Sequence, residues 1–309
     1  MVIRVLLTLA IVCGLLSSTK ACLNSSSQTL KDSSIIYRDH PGSVPYGHNF
    51  YNDSYLKELI GRLDSLYLRT KDIDFLSDKG LLLIILRRYT EAVKLYLEIE
   101  KMRPNRYSTA ANIGTAYELL GQNENALKWI KKAVNIDSNS HANSEWIHVK
   151  IIEAKIKGKE FTNSQDIINV DFGLDSLPVT TMSKKELQKL FDALFYQLNE
   201  RMSFVEPKDE LVANLLFELG STAILLNQFS DAFKIYKLAQ DYGYNSKLLD
   251  ERYRQIILES NPALRNIPPP AYVNTTSNLI KASLGLILAI VLIVIFVRFW
   301  IVKRRKFIQ

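Results

Sequence analysis

The feature that most restricts the fold is a self-similarity at a spacing of 34 residues. Shifted back by that interval, Gly114 falls on Gly80 and Ala126 on Ala92, while Ile130 falls on Tyr96 and Ser138 on Pro104. Gly220, Phe229, Ala232, Tyr236 and Ala239 repeat the internal spacing further along the chain. The stretch "NIGTAYELLGQNENALKWIKKAVNID" (112–137) reads as two helices joined by a four-residue joint, with small residues fixed among bulky ones. A chain of this kind stacks helix pairs, because one unit cannot bury its apolar face alone and neighbouring units share a continuous core.

This pattern resembles the tetratricopeptide repeat (TPR). The resemblance implies an all-α fold, a TPR-like α-solenoid of stacked antiparallel helix pairs. In it the glycine lets the first helix approach the second, the alanines admit the partner's aromatic ring, and the proline ends the unit. Units are read at 73–106, 107–140 and 213–246, with a partial unit at 141–157 and a capping helix at 247–260. The first signature position, usually Trp, is Leu76, Ala110 and Leu216 here.

The chain ends differ in composition from the repeats. "MVIRVLLTLAIVCGLLSSTKA" (1–21) has Arg4, an apolar run from Val5 to Leu16 and a small-residue exit, the form of a secretory signal, with a short uncleaved anchor as the alternative. Removal after Ala21 would put Cys22 first, but Thr19 and Lys20 fit a lipidation signal poorly. Since Cys13 lies within the signal, no intrachain disulfide framework is expected. At the other end, residues 282–302 ("ASLGLILAIVLIVIFVRFWIV") are long and apolar enough for a transmembrane helix. The following "KRRK" in the tail 303–309 predicts a cytoplasmic C-terminus, with the bulk of the chain extracytoplasmic (periplasmic). The net charge of +7 owes much to that tail and gives no sign of nucleic-acid binding.

Between these ends, residues 22–53 read as an extended polar lead-in, and residues 54–157 as an N-terminal helical cap followed by repeats. Leu56, Leu59, Ile60, Leu63, Leu66 and Tyr67 form the stripe of the cap helix. Residues 158–182 break the helical rhythm and read as a loop insertion, with room for a short strand. Ser183 and Glu186 form a capping box that opens the segment 183–260, whose first helix would stand in for the second helix of a repeat. The Pro-rich stretch 261–281 reads as a stiff stalk.

Motifs for chemistry are few. The sequence lacks a phosphate loop, a dinucleotide glycine pattern and a paired-cysteine metal site, so no cofactor, metal or catalytic residue is expected. His141, Glu145 and His148 recur at helical spacing, yet on a straight helix the two histidines stand about 10 Å apart, too far to share one ion. If the TPR resemblance holds, a protein or peptide partner binds the concave face made by the first helices. That phasing places Ser108, Ala111, Asn112, Thr115 and Glu118 there in one unit, and Glu145, Trp146 and Val149 in the next, with Glu118 and Glu145 solvated. Ser77, Ala142 and Trp146 stand where carboxylate-clamping repeats carry basic residues, which argues against capture of an acidic C-terminal peptide. The stretches "SEWIHVKIIEAKI" and "YQLNERMSFVEPKDELVANLLFELG" resemble membrane-anchored repeat proteins of Bacteroidetes-type bacteria. The expected function is a non-catalytic, membrane-anchored interaction scaffold. The alternative is a tail-anchored cytosolic adaptor of the mitochondrial fission type, and a metal-dependent enzyme comes last.

Overall fold

A computed structural model describes residues 26–39, 41–158 and 164–260. The expected signal (1–21), stalk (261–281), transmembrane helix (282–302) and tail (303–309) lie outside the described residues. Among the described residues no helix is long and apolar enough to cross a membrane.

The described residues begin with two short antiparallel strands, β1 (Ser27–Thr29) and β2 (Ile35–Arg38). Helices follow in the order α1 (Asp53–Thr70), α2 (Ile73–Ile85), α3 (Tyr89–Met102), α4 (Tyr107–Leu119), α5 (Asn123–Ile136), α6 (Ser140–Asn143) and α7 (Glu145–Lys157). After these come α8 (Ser164–Ile168), α9 (Lys184–Met202), α10 (Glu210–Leu225), α11 (Phe229–Asp241) and α12 (Lys247–Ser260). From α1 to α5 each helix packs on the next in sequence, as a stacked array requires. The closest pairings are α4 with α5 and α10 with α11.

The repeated glycine explains these pairs. A Cβ added at Gly80 would lie 2.5 Å from Tyr96 Cζ, at Gly114 2.4 Å from Ile130 Cδ1, and at Gly220 2.3 Å from Tyr236 Cε1. Three copies therefore make one contact, a bulky side chain laid against bare backbone. Ala92, Ala126, Ala133, Ala232 and Ala239 are fully buried beside it. The joint between paired helices also repeats, through a left-handed residue at Arg87 (φ 60°), Gly121 (φ 74°) and Asn227 (φ 62°). Asn and Gly adopt this conformation at little cost, and arginine does so less readily.

Replacing these glycines by alanine tests the contact. Tyr96 cannot swing aside, because its hydroxyl donates to Ser77 O at 2.7 Å and accepts from Asn112 Nδ2 at 2.8 Å. The Tyr236 ring is likewise held, stacked on Phe217 with centroids 5.4 Å apart. In Gly80→Ala and Gly220→Ala, overpacking of about 1–3 kcal/mol should outweigh the roughly 1 kcal/mol gained in helix propensity. Gly114→Ala meets not only Ile130 Cδ1 but also the Ile130 backbone N at 3.1 Å, which cannot rotate away, and should cost the most. Thermal melts of the three variants check that order.

Four expectations about segments change. The lead-in is not merely extended: β1 and β2 bury Leu30, Ile36 and Tyr37 in a core shared with Leu56, Leu59 and Leu63 of α1. The partial unit at 141–157 is broken, since His141 (φ 53°) and Asn143 (φ 60°) turn the chain and separate α6 from α7. The 158–182 insertion contains the short helix α8 rather than a strand. Helix α9, opened by the Ser183–Glu186 capping box, packs mainly on α10 and also crosses α6 and α7, so it is not the second helix of a regular pair.

Candidate functional site

The residues expected on an open concave face are mostly not open. Ser108, Ala111 and Asn112 are buried, and the Asn112 amide is spent on Tyr96 of the preceding unit. Thr115 is half-buried. Glu118 is 7% exposed and Glu145 2%, which corrects the expectation that both stand in solvent. Val149 is half-buried and packs with Ala126, Ile130 and Ile152. Trp146 points outward, 40% exposed. Thr115, Glu118 and His148 come together around a small cavity of about 30 Å³, which Ser108 and Trp146 do not reach.

What buries Glu118 is the C-terminal end of α9. Arg201 Nη1 donates to Glu118 Oε1 at 2.7 Å and Nη2 lies 3.3 Å from Oε2, a two-pronged pairing across 83 residues of sequence. Lys155 Nζ donates to Oε1 at 2.7 Å, and His148 Nε2 meets Oε2 at 2.7 Å. Glu145 Oε1 accepts from Tyr107 OH at 2.8 Å and is paired with His141 Nδ1, while Oε2 stands 3.8 Å from His148 Nδ1 as a charge contact. Helices α4, α7 and α9 thus meet at a buried ionic seam.

The protonation states follow from this geometry. Burial alone would lift the Glu118 carboxyl, but the Arg201 charge, the His148 hydrogen bond and Lys155 together hold it well below the usual glutamate range. Glu145 is lowered in the same way by the two histidines, against burial. Burial would lower His148, yet the Glu118 hydrogen bond and the two facing carboxylates raise it to about 9, so it is charged at neutral pH. His141 and His148 flank Glu145 from four residues before and three residues after it, neighbours that helical spacing also brings to one face. Even so, among the described residues no group of three or more His, Cys, Asp or Glu could hold a metal.

Two other inner carboxylates, Asp78 and Glu218, lie near a basic residue from outside the repeats but make no direct ion pair with it. Asp78 on α2 is buried and accepts from the backbone N–H of Lys31 at 2.6 Å, while Lys31 Nζ lies 3.3 Å from Asp72 and 3.5 Å from Asp74. Burial and the neighbouring Asp74 and Asp32 raise the Asp78 carboxyl to about 7. Arg252 of α12, 1% exposed, donates to Ser221 Oγ at 2.6 Å and to Gly173 O at 2.7 Å, beside the buried Glu218.

Arg201 and Arg252 escaped the sequence reading, although both left a signal. Each is a charge on an apolar stripe, Leu190–Leu194–Leu198–Arg201 and Leu249–Arg252–Ile256.

A second cleft, of about 910 Å³, opens between Asn123, Lys155, Asp209, Asn214, Tyr242 and Tyr244. Its lining mixes both signs of charge with carboxamides and assembles no nucleophile with a base.

Residues 107–140 match the family model of the tetratricopeptide repeat. No curated protein matches the chain. With stacked helix pairs on the page, the match supports a tetratricopeptide repeat protein, and stacked repeats of this type commonly act as protein-binding scaffolds.

Proposed function

We propose that this protein is a non-catalytic interaction scaffold, held at a membrane by residues 282–302, with its repeats on the extracytoplasmic side. The observation that carries the scaffold reading is the tetratricopeptide match at 107–140, whose glycine contact recurs in the units at Gly80 and Gly220. The address rests on sequence: the export-type pattern of residues 1–21, the apolar run 282–302 and the basic residues that follow it. Tethering raises the local concentration of the scaffold for any partner at the same surface, so a modest affinity suffices. The tail-anchored cytosolic reading shares the C-terminal span and differs only in the side of the membrane on which the repeats lie.

Topology separates the two. A reporter fused after Gln309 should report the cytoplasm and one inserted near Asn163 the opposite side. The reverse arrangement, Asn163 in the cytoplasm and Gln309 on the far side, would favour the tail-anchored adaptor, and both reporters on the same side would overturn the single-pass reading. Cross-linking in the native membrane, followed by mass spectrometry, tests the scaffold role through recovery of a partner.

A further inference from the structure

The β1–β2 hairpin is fastened to α2 through its turn, and carboxylates make the fastening. Asp32 of the turn, Asp72 at the N-cap of α2, and Asp74 and Asp78 within α2 converge there. Three of the four face a cation. Arg62 Nε of α1 donates to Asp32 Oδ2 at 2.7 Å, and Arg106 pairs with Asp74. Lys31 Nζ stands between Asp72 and Asp74, at 3.3 Å and 3.5 Å. Asp78 differs. It is 5% exposed, no ion pair reaches it among the described residues, and it accepts the backbone N–H of Lys31 at 2.6 Å. Lys31 thus gives its ammonium to the outer carboxylates and only its amide to the inner one. Lys79, next to Asp78 in sequence, is turned to Asp64 of α1 at 2.7 Å.

This arrangement disfavours charge on Asp78. The carboxyl is removed from water, the Asp74 and Asp32 carboxylates face it, and the Lys31 ammonium is directed elsewhere. A neutral carboxyl in the same place still accepts the Lys31 amide and adds no repulsion. A group held up to about 7 contributes stability that is fully present below its ordinary value of 3.8 and is lost as pH rises through the folded value. What depends on it is the hold of the hairpin. A two-stranded hairpin is marginal in water without a face to pack on. The turn is closed by Leu30 N–H to Ser34 O at 2.7 Å, and it carries Leu30 onto Leu56, Leu59 and Leu63 of α1 and Phe75, Leu81 and Leu82 of α2. Shifted by 34 residues, α3 falls on α1. Helix α1 is thus a second helix whose unit has no first helix, and the hairpin packs on it instead.

We propose that Asp78 is a proton-operated latch on the hairpin: with the carboxyl neutral the turn 30–34 is held on α2, and with the carboxyl ionised the turn lifts and bares the apolar faces of α1 and α2 beneath it. Acid tightens this end of the array and neutral to alkaline conditions loosen it. The latch is independent of the scaffold reading, since it concerns the fit of the chain on itself and not the partner or the side of the membrane.

The test is hydrogen exchange on the full chain in detergent micelles at pH 5 and pH 8, with each rate divided by that of an unstructured amide at the same pH. In the unaltered chain, protection of the amides of Leu30 and Lys31 should be at least about tenfold lower at pH 8, and one fully coupled carboxyl would give about a hundredfold. Asp78→Asn keeps the size and the acceptor oxygen and cannot ionise. In that variant the hairpin amides should be equally protected at both pH values, and better protected at pH 8 than in the unaltered chain. The amides of Ile113 and Gly114 in α4 record the pH response of the ionic seam, which should be the same in both chains. A hairpin whose protection does not fall in the unaltered chain overturns the proposal, and so does a fall that Asp78→Asn shares. Should Asp78→Asn fail to fold, Asp78→Ser, a second neutral acceptor, is held to the same two outcomes. Partner recovery by cross-linking reports separately on the scaffold reading.

Discussion

Ala126→Glu should abolish the cooperative melt of the repeat region rather than shift it slightly. Ala126 is fully buried and packs with Ile130 and Ile152, at the level where α5 lies against Gly114. The added carboxylate would need both space and a cation. Space is lacking, and overpacking costs about 1–3 kcal/mol. The residues packed around it are Ile130, Ile152, Tyr117, Leu127 and Val149, none of them basic. An unpaired buried charge adds on the order of 3–5 kcal/mol. Together these rival the roughly 5–15 kcal/mol that hold a whole domain folded. Ala126→Ser is the control: its hydroxyl can bond back to the carbonyl one turn earlier, at a cost of about 1 kcal/mol. Melts followed by circular dichroism at 222 nm check both, and a glutamate tolerated at this position would mean that the phase of the repeat is misassigned.

The second large effect is expected at Glu118. Glu118→Gln keeps the shape but removes the charge that faces Arg201, His148 and Lys155. Leaving a buried guanidinium and imidazolium without their counter-charge should cost about 3–5 kcal/mol, visible as a lower urea midpoint. The pH dependence gives the finer signature. His148 is raised in the folded state, so its contribution is fully present below its ordinary value of 6.5 and is lost as pH rises through about 9. In the unaltered protein, stability should therefore decline between these values. In Glu118→Gln the folded value falls, and this alkaline decline should move to lower pH or vanish. Glu118 and Glu145 act in the other direction: both are lowered, so their contribution is present above the ordinary glutamate range and is lost on acidification through their folded values. Urea titrations at pH 3, 5, 7 and 9.5 separate the limbs. Equal midpoints for variant and unaltered chain would show the seam to be energetically idle.

The same residues show what could be read in advance. Gly80, Gly114 and Gly220 announced their role because a repeat writes one contact several times, and the copies correct one another. Ala126 and Ala133 followed for the same reason. The joint at Arg87 was silent, since its left-handed backbone is enforced by the helices on either side rather than by a glycine. The β1–β2 hairpin was hidden because "SQTLKDSSIIYRD" is mostly polar, and of its apolar side chains only Leu30, Ile36 and Tyr37 are buried. The phasing of the first helices put Glu118 in solvent, but its environment depends on Arg201, 83 residues away, and no local pattern carries a partner at that distance. Only the arginine on the apolar stripe of α9 hinted that this helix would bring a charge inward.

The contacts of residues 47 and 48 have a kinetic consequence. Gly47 N–H donates to Asn199 Oδ1 at 3.0 Å and His48 N–H to Ser203 Oγ at 2.8 Å, pairings that span 152 and 155 positions. A stack of helix pairs otherwise has low contact order, because each unit touches its neighbours in sequence and can zip up from any starting point. These two contacts join its beginning to its late middle and can form only after most of the units between them are in place. Loop-closure entropy grows slowly with length, so the thermodynamic penalty of such a span is modest. Its weight falls on the order of events: the strands can dock early on the neighbouring α1, whereas residues 47 and 48 close on Asn199 and Ser203 late and, by microscopic reversibility, part from them early.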